Sequence, residues 1–330
     1  MLWLVMRTAL LLALLASAAS LPAAEHPSAS ISNGILDAKV HLPDPKTGYY
    51  RGTRFDWSGA IFSLTYEGHE YFGEWQQSDD PYLHDRITGP VEEYRPPNER
   101  GLGFAQAEPG GRFLRIGVGV CEKPANESEY DWRKSYKVVD PGSWSIQQGA
   151  NWIEFIHQVR EPKSGYAYRY IKRLTLTPGE PRLVIDHTLE NTGTQTIATS
   201  VYNHNFFVID GRTTGPEFTV EFPYEIELDR DMKGYASAKG KNLVYSKELP
   251  EGESIIALLN GFGPTAADNA FEIVNNHSGA GVRMSTDKPL EKMQFWSPRT
   301  TLCPEPYIAL RIAPGQADGW TIHYEFFETK

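Results

Sequence analysis

The residue types best placed to do chemistry sit in two short motifs in the second half of this 330-residue chain. His204 stands in Tyr202-Asn203-His204-Asn205-Phe206-Phe207, and Glu305 follows 101 residues later in Cys303-Pro304-Glu305-Pro306-Tyr307. An imidazole and a carboxylate brought together could move protons at the anomeric centre of a sugar, one giving while the other takes. An unperturbed imidazole titrates at about 6.5, so His204 could act in either direction near neutrality. Its alternative is a core histidine bonded to a backbone carbonyl. Prolines on both sides of Glu305 remove neighbouring N–H donors and stiffen the backbone, which would fix the direction of the carboxylate. Partial burial there would raise its pKa toward general-base work, whereas a solvated loop glutamate would keep an ordinary one.

The elements that must position these residues read as short strands. Ala60 to Tyr66 alternates in and out and meets the turn Glu67-Gly68 before Glu70-Tyr71-Phe72. Arg112 to Val120, Trp152 to Arg160, Tyr166 to Thr177, Arg182 to Leu189, Thr196 to Tyr202, Phe218 to Glu227 and Trp320 to Phe327 repeat the habit. Helical periodicity is nearly absent, and 29 Gly with 23 Pro would break most helices. The spacing of turn signals predicts a large antiparallel all-β sandwich or barrel. No fixed-period repeat and no Pro/Gly/Ser linker divides residues 25–330, so one domain is expected. Ser78 to Glu99 stands apart as a long polar, Pro-rich segment holding His84, Asp85 and Arg86. Such a segment inside a compact domain is more often functional than idle. Gly89 to Tyr94 is expected to return to the sheet.

Composition narrows the function classes. A basic start, an apolar run from Thr8 to Leu15 and the tract Ala16-Ser17-Ala18-Ala19 read as a secretory signal over residues 1–18, with cleavage as late as 24 allowed. The protein is therefore expected to be periplasmic or secreted, with no membrane insertion after cleavage. A net charge of −10 without a Lys/Arg block argues against nucleic acid. Two cysteines, Cys121 and Cys303, allow one disulfide without demanding it. The nine histidines lack metal-ligand spacing, so no metal is expected; no nucleophile elbow, P-loop or dinucleotide fingerprint is present either. Abundant tryptophan suits a glycan cleft in which sugar C–H faces stack on rings, and Trp296, close before Glu305, is the best placed.

Taken in order, the motifs resemble those of the galactose mutarotases (aldose 1-epimerases). Asn203-His204-Asn205-Phe206-Phe207 resembles the family's N-H-x-Y-F signature, after an E-N-T-G turn present here as Glu190-Asn191-Thr192-Gly193. Leu302-Cys303-Pro304-Glu305-Pro306 is similar to its C-x-E-P segment, and Ile312-Ala313-Pro314-Gly315-Gln316 to its closing turn. The resemblance implies a large β-supersandwich and a cofactor-free isomerase acting on a small-molecule sugar or oligosaccharide. It gives His204 protonation of the ring oxygen and Glu305 the proton of the C1 hydroxyl, facing each other across the sugar. His84 and Arg86 match the family's second His and its Arg in kind and position, with Arg54 as a further candidate; Asn203 and Trp296 complete the expected sugar contacts. The family's substrate-orienting Asp has no clean counterpart, Asp229 and Asp231 being the nearest acids. A non-catalytic carbohydrate-binding protein, or a lyase or hydrolase on the same fold, remains an alternative.

Overall fold

The structure is a computed structural model that describes residues 26–97 and 101–329; the expected signal segment lies outside the described residues. Its frame is two antiparallel sheets of ten and six strands, with a four-stranded sheet at the N-terminal end and a three-stranded one beside them. The six-stranded sheet runs Glu227–Leu228, Ser254–Asn260, Lys292–Pro298, Cys303–Ile312, Ile197–His204, Val91–Arg95. Both motifs therefore lie on adjacent strands.

Period-two alternation builds the sandwich. In Arg182–Asn191 of the larger sheet, Leu183, Ile185 and Leu189 are buried, and in the smaller sheet Ile197, Val201, Leu310 and Ile312 face them in one continuous apolar core. Alternation lapses where the site lies. Residues 201–204 and 303–308 are buried on both faces, because segments from the first half of the chain cover the face turned away from the core. Under that cover, Phe55, Trp75, Val91, Phe113, Phe206 and Cys303 share a second, largely aromatic cluster. Cys121 belongs to it too, and both cysteines are buried free thiols.

The hairpin at Glu67-Gly68 has positive φ at both turn residues, which matches the twist of Ile61–Tyr66 and His69–Glu70. Two segments depart from expectation. Arg112 to Val120 is a hairpin, with Arg112–Arg115 paired to Gly119–Glu122. Gly117 turns it at φ +78, where an added Cβ would lie 2.7 Å from Asp56. Phe218 to Glu227 is divided between sheets, Phe218–Glu221 in the larger and Glu227–Leu228 in the smaller, with Pro223 interrupting the ladder. Ser78 to Pro90 is irregular, and Val91–Arg95 rejoins the six-stranded sheet beside Ile197–His204.

Candidate active site

Register decides which side chains reach the cleft. On Ile197–His204, Tyr202 and His204 point away from the sandwich core while Val201 and Asn203 point into it. On Cys303–Ile312 the same rule turns Glu305 and Tyr307 to the cleft, and on Lys292–Pro298 it turns Gln294 and Trp296 there. Glu305 sits in a strand and is 1% exposed, so the solvated-loop alternative does not hold. Its flanking prolines are tolerated because the ladder to Ile197–His204 ends at the Tyr202–Tyr307 pair. Beyond that point Asn205 takes over, donating from Nδ2 to Pro304 O at 2.6 Å and accepting from Tyr324 OH at 2.7 Å.

His204 Nε2 and Glu305 Oε1 are 3.2 Å apart on the floor of a cavity of about 370 Å³. They stand side by side. The sequence reading expected them across a sugar-wide gap; adjacency of their strands removes that gap. Gln294 Nε2 donates to the other carboxylate oxygen at 2.6 Å. The imidazole lies on Phe206, with ring centres 3.7 Å apart, and Phe206 lies in turn on Trp75 at 5.3 Å. Phe206 reaches this position with φ +41, a left-handed conformation costly for a bulky residue, which folds its ring back beneath His204. Trp296 and Phe55 meet the imidazole edge-on.

These surroundings shift both groups toward neutrality. Burial, with the positive charge of Arg54 second, holds the His204 pKa well below 6.5. Burial raises Glu305 to about 8 against the opposing pull of Arg54 and the Gln294 hydrogen bond. At neutral pH the pair therefore keeps one proton on the carboxyl, in contact with an uncharged ring.

Arg54 and His84 join the pair. Arg54 lines the cavity, with Nε on Glu93 Oε2 at 2.8 Å, Nη2 on Tyr202 OH at 3.1 Å, and its guanidinium 4.3 Å from the centre of the Trp132 ring. His84 lies at the rim, 3.5 Å from Asp85 and edge-on to Trp132. Burial lowers its pKa as well. Trp296 lines the cavity beside Ile256, one of the few large apolar side chains left exposed among the described residues.

Two expected contacts are elsewhere. Arg86 is turned back into its own segment, donating to Ser78 O and, at 2.9 Å, to Tyr49 O, so it pins the loop that carries His84. Asn203 faces the core, where its Nδ2 donates to Glu92 at 3.2 Å, because the residue next to a cleft-facing histidine in a strand must face the other way. Asp229 is bound to Arg230 and to Leu258 N and does not line the cavity. Sequence reasoning missed Gln294, Arg95 and Trp132, all of which line the site. Gln294 was findable, two residues before Trp296 on one strand; Trp132 sits in a loop without periodicity.

No family model matches the sequence, and no curated protein does. Solved structures do. The chain is similar to the Slr1438 protein from Synechocystis sp., with 13% identity, TM-score 0.58, and 95% of this chain and 100% of that one covered. A galactose mutarotase-like protein from Clostridium acetobutylicum matches with 13% identity and TM-score 0.57, over 92% of this chain and 96% of that one. The aldose epimerase homologue from C. elegans matches with 12% identity and TM-score 0.54, over 93% and 100%. Identities this low speak for the fold alone, and with each match running nearly end to end, the chain has the galactose mutarotase-like fold.

Proposed function

We propose that this protein is an aldose 1-epimerase-like enzyme that interconverts the α and β anomers of a free sugar. The observation that carries the reading is the 3.2 Å contact between His204 and Glu305 at the floor of an aromatic-lined cavity. The ring oxygen and the C1 hydroxyl of a pyranose are bonded to the same carbon. An acid and a base held side by side can therefore reach both, with the sugar lying over the pair and its C–H face on Trp296 or Trp132.

In this scheme the proton that Glu305 holds in the free protein passes to His204, leaving an imidazolium and a carboxylate with the same total charge. His204 then protonates the ring oxygen as Glu305 takes the C1 hydroxyl proton, and the bond between C1 and the ring oxygen breaks to give the open-chain aldehyde. Rotation about C1–C2 presents the other carbonyl face. Reclosure returns the proton to His204 and the hydroxyl proton from Glu305, completing the exchange with no cofactor. Arg54, held by Glu93 and Tyr202, lies within reach of a sugar hydroxyl.

Exchange NMR on free aldoses tests this directly. The wild-type protein should accelerate anomer exchange, and Glu305→Gln and His204→Asn should each lose roughly 10²–10⁴-fold. Uncatalysed rates with the wild type, or wild-type rates in both variants, would sink it. Binding without turnover is the second reading, favoured by one observation: in the free protein the two groups already lie in contact with each other.

A further inference from the structure

The cavity over His204 and Glu305 does not end at the sugar-sized space it encloses. A larger one, of about 850 Å³, begins where Arg95 forms a shared wall. The same face of the same three strands floors both. Along Ile197–His204 the cleft-facing residues are His204, Tyr202 and Ser200; along Cys303–Ile312 they are Glu305 and Tyr307; along Lys292–Pro298 they are Trp296, Gln294 and Lys292. His204 to Ser200 spans about 13 Å at the rise of an extended strand, more than one pyranose ring can cover. The far wall is Phe104 and the segment Ser128 to Tyr130.

This lane is built for hydroxyls. At the junction Arg95 Nη1 donates to Tyr307 OH at 3.2 Å, while the Tyr307 ring is itself buried between Tyr202, stacked at 4.1 Å, and Lys292 Nζ, 3.6 Å from its centre. Charges around this second cavity balance, with Arg95 and Lys292 offset by Glu129 and Glu291. A balanced set of polar side chains suits a neutral glycan better than an anionic one.

We infer that the substrate is the reducing end of a neutral oligosaccharide, its first ring over His204 and Glu305 and the next rings past Arg95 toward Ser200 and Lys292. The inference rests on the epimerase reading for its chemistry and on the adjoining cavity over the same strand face for its substrate class. Anomer exchange is to be measured on glucose, xylose and mannose and on the di- and trisaccharides of the malto-, cello-, xylo- and manno-series. Expected is a rise in kcat/KM of tenfold or more from monosaccharide to trisaccharide in at least one series. Ser200→Trp, a half-buried position on the lane, should cut the trisaccharide-to-monosaccharide ratio back toward one. Flat or falling kcat/KM with length in every series, or a ratio untouched by Ser200→Trp, overturns the inference and leaves the epimerase reading intact. If no sugar is turned over, saturation-transfer NMR with the trisaccharides decides. Contacts to the second and third rings that Ser200→Trp removes uphold the lane without the chemistry, and contacts to one ring or none overturn it.

Discussion

Glu92 and Glu305 are both buried carboxylates on strands of the same sheet, and they end in opposite states. Glu92 faces the sandwich core, where Lys172 Nζ bonds one oxygen while His187 Nε2, at 2.7 Å, and Asn203 hold the other. Burial pushes its pKa up, but Lys172 and His187 outweigh it and hold the group at about 2. Lys172 also binds Ser58 O at 2.8 Å and lies 3.5 Å from Asp56, whose carboxyl burial raises to about 6. Glu305 meets an uncharged ring and one amide in place of an ammonium, and burial carries it to about 8. A buried carboxylate is thus no sign of a reaction by itself; what separates the cleft from the core is a carboxylate left under-compensated.

The contrast can be broken most severely at Lys172. Lys172→Ala leaves Glu92 and Asp56 buried together without their cation and should cost about 3–5 kcal/mol in urea unfolding at pH 7, partly recovered at pH 5 as the carboxyls take up protons. A cost no larger than that of a surface substitution would mean that the core charges are not paired as described. Glu305→Gln should do the reverse. A carboxyl with its folded pKa raised to about 8 stabilises the fold fully below its unfolded value of about 4.5. That contribution is lost as pH rises through 8. The amide cannot ionise, so the variant should match the wild type near pH 4 and exceed it at pH 9, by on the order of 2–4 kcal/mol, even as activity disappears. Parallel stability curves for the two proteins would count against the raised pKa.

Next in size is the pH profile of turnover. In the proposed reaction the His204–Glu305 pair needs one proton, so the rate should fall tenfold per pH unit above about pH 8 and stay level through neutrality, where the depressed His204 takes up no second proton. A rate that climbs through pH 8 would contradict a shared proton. The smallest effect belongs to Asn203→Ala, which removes one hydrogen bond to Glu92. It should cost about 1 kcal/mol in thermal unfolding and leave kcat/KM for a monosaccharide within roughly twofold, although its neighbour is His204. A large kinetic loss would place Asn203 with the cleft after all.

How much of this could be read from the sequence depended on periodicity. The strands announced themselves by alternation, and the turn at Glu67-Gly68 by its residue types. His204 stood out for the aromatic rings that follow it, and Glu305 for the two prolines that flank it. Asn203 was misplaced because adjacency in sequence means opposite faces in a sheet, a consequence of knowing that the strand runs through His204. Arg86 was misplaced for another reason. It belongs to an irregular segment where nothing in the sequence sets direction, and only the carbonyls of Ser78 and Tyr49 reveal that it points inward.

Consecutive residues on two paired strands carry opposite duties. Across the ladder Asn203 sits opposite Glu92 and Tyr202 opposite Glu93, one pair in the core with Lys172, the other in the cleft with Arg54. Slide Val91–Arg95 by one position and either Val91 or Glu93 arrives beside Lys172, while Glu92 or Tyr94 arrives beside Arg54. A slip that brings Val91 inward takes from the buried ammonium its nearest carboxylate, and one that brings Tyr94 outward takes the carboxylate from the guanidinium. The two cages thus check one another during folding, and a chain that has satisfied its interior has already aligned its cleft.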